Sequence, residues 1–344
     1  MDVAAHTNVG DNILWLGAKE LLAHFGRTPD VLCTGSQLDY TQPGFLQCPE
    51  PRELLNKLGD SAMILWHAGG NFGDIWRHVQ LYRNNYIQGL ERELLADPGK
   101  AKWNVSMLQL PQSVHYSDQA NRRYDGELYA TLSKLHFSIA SRDPNGVALG
   151  QETFNVPVYP CPDIAFMMGP AQASGQSGRA VTDPVVDVLL LLRCDKEGVL
   201  TAKDNIALAD KVLGPHGITY KIVDWPADEK TITNRPQALY TELAELRWHL
   251  GLRMISQGRT LITNRLHATV IGALMGVPTY YYNGLMVGGY AKIGGTMHLA
   301  RSSSRACSES ALRSWHVVGQ TEYEALETAL TRALAWHILH GENR

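Results

Sequence analysis

A chain of 344 residues is longer than one average domain, so two domains are the first expectation. Hydrophobic residues form 44% of the chain, charged residues 19%, and the formal net charge is −3, which argues against bulk binding of nucleic acid or of an anionic membrane. The sequence shows no signal peptide and no apolar run long enough to span a bilayer, so we expect a cytoplasmic protein.

The cysteines are odd in number, and no two have the C-x-x-C spacing of a zinc or redox site; they are Cys33, Cys48, Cys161, Cys194 and Cys307. This pattern predicts free thiols in a reducing compartment and no disulfide framework. Near the end of the chain, His337 and His340 have a spacing that could bind a metal, but an exposed helical tail is the simpler interpretation.

Short apolar runs alternate with helix-length segments along the chain. The predicted strands are Met63–Trp66, Asn104–Gln109, Phe137–Ala140, Val156–Tyr159, Val186–Arg193, Ile218–Val223, Thr260–Thr263 and Thr279–Tyr282. The predicted helices are Asn12–Phe25, Trp76–Ala96, Ser117–Leu135, Lys203–Leu213, Tyr240–Ser256 and His267–Met275. Apolar strands between helices are typical of parallel sheets covered on both faces, which predicts an α/β fold.

A stretch rich in Gly, Ser, Ala and Pro at 169–184 is the predicted linker. It separates an N-terminal domain, 1–168, from a C-terminal domain, 185–320. Residues 321–344 form a terminal helix that we expect to pack back on the N-terminal domain. The first motif begins so close to Met1 that we expect the natural protein to carry an N-terminal extension. Ligands of open α/β sheets bind beyond the carboxyl ends of the strands, so a cleft between the domains is the expected site.

Polar residues follow the predicted strands of the N-terminal half. Asn8 and Asp11 open the first helix, where they suit either a helix cap or a contact with a polar ligand. Asn71 and Asp74 lie in a Gly-rich turn suited to hydrogen bonding with sugar hydroxyls.

Three further motifs of this kind follow, each with a structural alternative. Gln112 and His115 come after Pro111, although a lone His is more often structural. Arg142 is followed by Asp143, with which it could form an ion pair, and Pro162-Asp163 reads as a turn. In the second half, Arg193 leaves a buried strand, where it could face the cleft or form a salt bridge.

The segment Arg259–Pro278 is the most informative part of the chain. An apolar strand runs into Asn264, and Arg265 and His267 then open a helix of small residues. A helix N-terminus offers unpaired N–H groups and partial positive charge, Arg adds a fork of donors, and His adds a proton that moves near neutral pH. With Lys292 downstream, this unit predicts a site for a phosphate or a carboxylate.

Taken together, these motifs resemble the polysaccharide pyruvyl transferase family, whose members are ketal pyruvyltransferases. The matching stretches occur in the family's order; they are 6–12, 69–74, 110–113, 141–143, 162–163, 259–278 and 290–293. One departure is His67-Ala-Gly-Gly, where a further glycine is common. The resemblance implies two Rossmann-like domains with parallel sheets in a GT-B-like arrangement, with an inter-domain cleft.

The resemblance also implies an activity, the transfer of the enolpyruvyl group of phosphoenolpyruvate to two hydroxyls of one sugar, giving a cyclic pyruvate ketal and phosphate. Arg265 and His267 match the family's donor-site pair, Arg142 its upstream arginine, and His115 an acceptor-side histidine. The expected donor ligands are Arg265, His267, Arg142, Lys292 and Arg193, and the expected acceptor ligands are Asn8, Asp11, Asn71, Asp74, Gln112 and His115.

The chemistry suits these residues, because a donor with a carboxylate and a phosphate needs at least two fixed cations. We expect His267 to protonate the methylene carbon and His115 or Asp74 to take the sugar's proton. No step demands a metal or another cofactor. The acceptor is expected to be lipid-linked, which would bring the chain to the inner face of a membrane without a spanning segment.

Two alternatives stay open. A nucleotide-sugar glycosyltransferase of GT-B type predicts an acidic residue that grips ribose, for which Glu245 and Asp224 are candidates without an ordered motif. A non-catalytic carbohydrate-binding relative would keep the fold without turnover.

Overall fold

We describe the chain from a computed structural model. The structure describes residues 1, 8–35, 47–169, 184–193, 200–225, 240–283, 292–302, 314–317 and 321–340. These residues divide into two compact units. The first contains Met1, the described residues of Asp11–Ile164, and residues 240–244. The second contains residues 8–10 and the remaining described residues from Ala165 onward.

The described residues of the first unit form a parallel sheet whose strands run in the order β1-β3-β4-β5, with β2 beside the end of β3. The strands are β1 Ser61–Trp66, β2 Gly69–Gly73, β3 Asn104–His115, β4 His136–Ser141 and β5 Val158–Pro160. The helices of this part of the chain are α1 Val9–His24, α2 Pro51–Leu58, α3 Arg77–Ala96, α4 Gln119–Ala130 and α5 Pro144–Thr153. Apolar side chains of the strands pack with those of α2, α3 and α4 in one continuous core.

Two segments predicted as loops belong to this sheet. Gly69–Gly73 pairs with the last residues of β3, and β3 itself continues through Pro111 to His115. Proline fits there because the pairing of β3 with β4 is irregular between Gln109 and Gln112, and a bulge does not require the missing N–H group.

The second unit also contains a parallel sheet, and its described strands run in the order β10-β9-β8-β6-β7. The strands are β6 Val186–Leu191, β7 Tyr220–Val223, β8 Gly258–Thr263, β9 Thr279–Tyr281 and β10 Ser314–His316. The helices are α6 Ala202–Leu213, α7 Tyr240–Ile255, α8 Leu266–Met275, α9 Lys292–Ser302 and α10 Glu322–His340. The order reverses direction between β6 and β8, and such a switch point is where ligands bind in this class of sheet.

The prediction of two α/β halves with parallel sheets is confirmed, whereas the predicted packing of the terminal helix on the N-terminal domain stays a prediction. Helix α10 packs on the C-terminal sheet, where Leu326 and Leu330 are fully buried with Val188 and Ile262. Its apolar residues recur at helical spacing, and the nearest apolar surface of its own unit buries them. His337, expected in an exposed tail, is buried in this contact and lies 3.0 Å from the hydroxyl of Thr260.

The expectation that every cysteine is a free thiol is also wrong. Cys33 and Cys48 form a disulfide, with Cα atoms 4.7 Å apart. The distance between two cysteines in a fold cannot be read from their separation of 15 residues in the chain. Cys161 is a free thiol, whereas Cys194 and Cys307 lie outside the described residues.

Two other predictions concern the linker and membrane-spanning segments. Most of the predicted linker, 170–183, lies outside the described residues. Within the described residues, no helix is both long enough and apolar enough to cross a bilayer.

Candidate active site

The loops that follow β6 and β8 meet at the switch point of the second sheet. The backbone N–H of Arg193 donates to Oδ1 of Asn264 at 2.9 Å. Nδ2 of the same Asn264 donates to Glu322 at the start of α10, at 2.8 Å. Asn264 therefore ties two strand ends to a helix N-terminus, and it fixes the backbone from which Arg265 projects.

Arg265 and His267 lie at the amino end of α8. Arg265 occupies the N-cap position with an extended backbone, and its own N–H donates to the hydroxyl of Thr263 at 3.0 Å. The first N–H groups of a helix have no partner inside the helix and carry partial positive charge. A guanidinium and an imidazole placed there suit an anion, so the phosphate or carboxylate site stays a prediction that this geometry is compatible with.

Asp224, which follows β7, holds the side chain of Arg265. Arg265 donates from Nε to Oδ1 of Asp224 at 2.5 Å and from Nη2 to Oδ2 at 2.7 Å. This two-pronged contact fixes the plane of the guanidinium. The sequence offered Asp224 only as a ribose ligand, because β7 and β8 are distant in the chain and only the folded sheet places them on either side of β6.

The first motif lies beside His267. The backbone of Gly10 approaches the imidazole so closely that a Cβ atom at this position would overlap Nδ1. Asn8 accepts a hydrogen bond from Gly10 N–H at 2.9 Å, so its side chain caps α1. Asn8 and Gly10 belong to the second unit, although the sequence prediction grouped Asn8 with the N-terminal, acceptor-side domain. Asp11 follows in the first turn of α1, half-buried.

Lys292 is the first residue of α9, whose amino end is fixed by Asn283 after β9. Oδ1 of Asn283 accepts from the N–H groups of Ile293 at 2.9 Å and of Gly294 at 3.3 Å. Its Nδ2 must then donate to Nε2 of His316, 2.9 Å away. Nε2 is therefore unprotonated, and burial, together with the nearby charge of Arg301, lowers the pKa of His316. Neither Asn283 nor His316 lies in a motif that the sequence singled out.

In the first unit, Asn71 and Gln112 face each other across β2 and β3. The backbone N–H of Asn71 donates to Oε1 of Gln112 at 3.2 Å, and Nε2 of Gln112 donates to Oδ1 of Asn71 at 3.0 Å. Gln112 also donates to the carbonyl of His67, at 2.8 Å. Two of the predicted acceptor ligands are therefore brought together at the carboxyl edge of the sheet.

His115 and Asp74 lie at the same edge but have structural contacts of their own. Asp74 accepts hydrogen bonds from the N–H groups of Ser117 and Asp118, both at 2.7 Å, and so closes the loop before α4. The carbonyl of His115 accepts from the N–H of Asp74 at 3.0 Å. Gly73, with φ of 116°, passes against that same carbonyl, where no side chain fits. The His115 ring is almost fully buried.

Arg142, predicted to bind the donor, is buried in the first unit. Its Nη1 lies 2.6 Å from Oδ2 of Asp163, and its Nε donates to the hydroxyl of Ser113 at 2.9 Å. Both partners of the ion pair are almost fully buried. Asp143, considered as its partner from the sequence, instead caps α5 by accepting from Gly146 N–H at 2.7 Å. These contacts give Arg142 a structural role, and its role as a donor ligand stays a prediction.

Burial raises the pKa of the Cys161 thiol, and the neighbouring Asp163 adds to that effect, so this cysteine stays protonated at neutral pH.

Among the described residues, no group of three or more His, Cys, Asp or Glu side chains could hold a metal ion. The expectation that the reaction needs no metal or cofactor stays a prediction.

The fold and these sites define an α/β protein with two Rossmann-like units and a helix amino terminus that carries Arg265 and His267. A solved structure of an uncharacterized Klebsiella pneumoniae protein has a similar fold, with a TM-score of 0.50 and 12% sequence identity over 91% of this chain and 89% of that one. The chain belongs to the polysaccharide pyruvyl transferase family, whose model matches residues 8–284.

Two relatives carry the same family name. Pyruvyl transferase 1 of Schizosaccharomyces pombe is 26% identical over 79% of this chain and 62% of its own length. EpsO of Bacillus subtilis, whose assigned name is likewise that of a pyruvyl transferase, is 24% identical over 66% of this chain and 67% of its own. The chain thus spans less than two thirds of the length of the Schizosaccharomyces pombe relative.

Proposed function

We propose that the chain transfers the enolpyruvyl group of phosphoenolpyruvate to two hydroxyls of one sugar residue in an oligosaccharide or polysaccharide precursor. The products are a cyclic pyruvate ketal and phosphate. The observation that carries this proposal is the pairing of Arg265 and His267 at the amino end of α8, at the switch point of the second sheet, in a chain of this family.

In this proposal the second unit binds the donor. The amino end of α8 and the guanidinium of Arg265 hold an anionic group of phosphoenolpyruvate. Asp224 keeps the guanidinium oriented. Lys292 at the start of α9 and Arg193 after β6 supply further positive charge for the second anionic group.

The reaction begins when His267 gives a proton to the methylene carbon of phosphoenolpyruvate, which becomes the methyl group. The adjacent carbon becomes electrophilic, and a sugar hydroxyl forms a C–O bond to it while a base removes the hydroxyl proton. The C–O bond to phosphate then breaks, and the second hydroxyl closes the ketal as its proton passes to the departing phosphate. His115 is the proposed base, and Asp74 is weaker because its carboxylate already accepts hydrogen bonds from Ser117 and Asp118.

The first unit binds the acceptor in this proposal. Asn71 lies at the carboxyl edge of its sheet, where its amide suits a sugar oxygen. Gln112, predicted as a second acceptor ligand, is fully buried and instead holds Asn71 in place. We further propose that the acceptor is lipid-linked and that it brings a cytoplasmic protein to the inner face of the membrane.

One assay separates this proposal from its rivals. Purified protein is given phosphoenolpyruvate with a panel of galactosides, mannosides and N-acetylhexosaminides, and released phosphate is measured. In parallel it is given UDP-sugars, and released UDP is measured. We expect phosphate release that depends on the acceptor, and a product that mass spectrometry identifies as a pyruvate ketal.

Two variants test the roles of the donor-site pair. His267→Ala should abolish turnover while phosphoenolpyruvate still binds, and Arg265→Ala should weaken that binding as well. UDP release without phosphate release would favour the glycosyltransferase. Sugar binding without either release would favour a non-catalytic relative.

A further inference from the structure

Arg83 is a fully buried cation beneath the acceptor-side strand β2, and no family motif named above contains it. It lies on α3 and is 0% exposed. Its guanidinium carbon is 4.8 Å from the centre of the Phe72 ring and 5.7 Å from that of Trp66. Burying a charge is costly, so its hydrogen bonds show what the cation holds in place.

One of these hydrogen bonds fixes the side chain of Asn71. Nη2 of Arg83 donates to it at 2.8 Å. Since a guanidinium can only donate, the atom that faces it must be the oxygen Oδ1. Gln112 reaches the same atom with Nε2, and the orientation of the Gln112 amide is itself fixed, because its Oε1 accepts from a backbone N–H.

The orientation of Asn71 leaves one kind of group for a ligand. Its Oδ1 accepts from two donors, whereas its Nδ2 makes no hydrogen bond to any residue that the structure describes. The residue is half-buried at the carboxyl edge of the sheet, so Nδ2 is open to solvent or ligand. Asn71 can therefore donate to a ligand but cannot accept from one without losing Arg83 or Gln112.

The rest of the buried network holds Arg83 itself. Oε1 of Gln80 accepts from Nη1 of Arg83 and from the N–H of Gly73, the latter at 3.1 Å, so the middle and the carboxyl end of β2 are both linked to one cation. Gln80 then donates to Asn84 at 2.8 Å, and Asn84 donates to the buried carboxylate of Asp125 at 2.7 Å. Two amides thus connect the buried cation to a buried anion.

We propose that Asn71 recognises the acceptor as a hydrogen-bond donor, and that Arg83 is the positioning residue that fixes it in this orientation. The matching ligand group is a sugar oxygen that presents a lone pair, such as a ring, glycosidic or carboxylate oxygen. This inference rests on the proposed function, because it assigns a substrate contact within the same reaction.

The main test is Asn71→Asp, which replaces the amide by a carboxylate of the same shape. One oxygen keeps the hydrogen bonds from Arg83 and Gln112, so the fold is retained. The other oxygen replaces Nδ2 and repels the acceptor's lone pair. With phosphoenolpyruvate and the best acceptor of the panel, we expect the acceptor KM to rise about tenfold or more, a loss typical of a hydrogen bond to a charged or buried group, with an unchanged KM for phosphoenolpyruvate. Asn155→Asp, at an exposed position, controls for the added charge.

Arg83→Lys tests the positioning role, because lysine keeps the charge but has one donor head in place of a fork. We expect a raised acceptor KM in this variant, and a double variant with Asn71→Asp that is no worse than Asn71→Asp alone. If Asn71→Asp keeps the wild-type acceptor KM in an active enzyme, the inference is overturned and the proposed function stands. If the wild-type chain releases no phosphate with any acceptor, both fall together. Circular dichroism confirms folding in each variant.

Discussion

An arginine lies at the carboxyl edge of each sheet, and the two differ in burial. In the first unit, Arg142 is 1% exposed and is matched by Asp163 and Ser113. In the second unit, Arg265 is partly exposed and lies at the amino end of a helix, where Asp224 fixes its plane. Both residues follow a strand, and both pair with an aspartate from elsewhere in the chain. Burial, not residue type, therefore separates a structural cation from one that a ligand can reach.

The largest effect that tests this contrast is a loss of stability at the buried pair. We expect Asp163→Ala to lower the free energy of unfolding by about 3–5 kcal/mol, because it leaves the Arg142 charge buried without its partner. Asp224→Ala removes the partner of an arginine whose side chain is 11% exposed, so it should cost less, about 1–3 kcal/mol. Urea unfolding followed by circular dichroism measures both.

The losses of activity in the two variants should rank in the opposite order, with the larger loss in Asp224→Ala. Asp224→Ala should reduce turnover at saturating acceptor and raise the KM for phosphoenolpyruvate, since the Arg265 guanidinium loses its orientation. Equal losses of stability in the two variants would mean that the contrast between the two edges is wrong.

The second effect compares two carboxylates whose pKa is lowered, Glu91 in the first unit and Asp204 in the second. Glu91 on α3 accepts from the N–H groups of Ser133, Lys134 and Leu135 at 2.7 to 3.1 Å. Burial alone would raise the pKa of Glu91, but these hydrogen bonds and that of the Ser133 hydroxyl together outweigh it and lower the pKa. We expect Glu91→Gln to cost about 2 kcal/mol near neutral pH, because the new amide faces backbone donors.

The pH dependence has a defined sign. Because the folded-state pKa of Glu91 is lowered, its contribution is present above the unfolded value of about 4.3 and is lost as the pH falls through the folded value. The stability difference between wild type and Glu91→Gln should therefore shrink on acidification. In the second unit Asp204 has a lowered pKa but is exposed and caps only its own helix, so Asp204→Asn should leave the unfolding midpoint almost unchanged. A constant Glu91→Gln difference down to pH 2 would contradict this interpretation.

The third effect concerns the position of the His267 imidazole at the carboxyl edge of the second sheet. Gly10→Ala would place a methyl group against the His267 imidazole, so the ring must move. We expect about 1–3 kcal/mol of overpacking strain, expressed as at least a tenfold loss of phosphate release. Gly99→Ala is the matched control, because that exposed glycine has a helical backbone and a Cβ there would approach only the flexible side chain of Asp97. Wild-type turnover in Gly10→Ala would mean that the His267 position does not matter for the reaction.

What the sequence could predict follows from how local each feature is. The strand and helix that bracket Arg265 and His267 are local patterns, so both elements were predicted, and anion binding at the helix terminus stays a prediction. Asp224 and Asn283 were not predicted as partners, because their contacts join strands that are far apart in the chain. Asp224 reaches Arg265 from the other side of β6, and Asn283 meets His316 across the neighbouring strands β9 and β10.

Burial separates further features that look alike in the sequence. Nothing in the sequence distinguishes the buried Arg83 from exposed arginines nearby in the chain. Its burial depends on which face of α3 packs against β2. Glycine-rich segments are similarly ambiguous. Gly69–Gly73 became a strand only because β3 continues beside it.

The smallest expected effect is a change in the pKa of His316 at the carboxyl edge of the second sheet. It tests whether the side chain of Asn283 has a fixed orientation. In wild type, burial and the charge of Arg301 lower the pKa of His316, and Arg332 contacts its backbone carbonyl at 3.4 Å. The neutral imidazole therefore stabilises the fold above the unfolded pKa of about 6.5, and this contribution is lost as the pH falls through the folded value. Asn283→Asp keeps an oxygen toward the N–H groups of α9 but turns the other toward Nε2, which favours a protonated ring. We expect the His316 pKa to rise, as measured by an NMR titration, with Asn155→Asp as the charge control. An unchanged His316 pKa would mean that the new carboxylate turns away from Nε2, and that Asn283 does not fix the tautomer of His316.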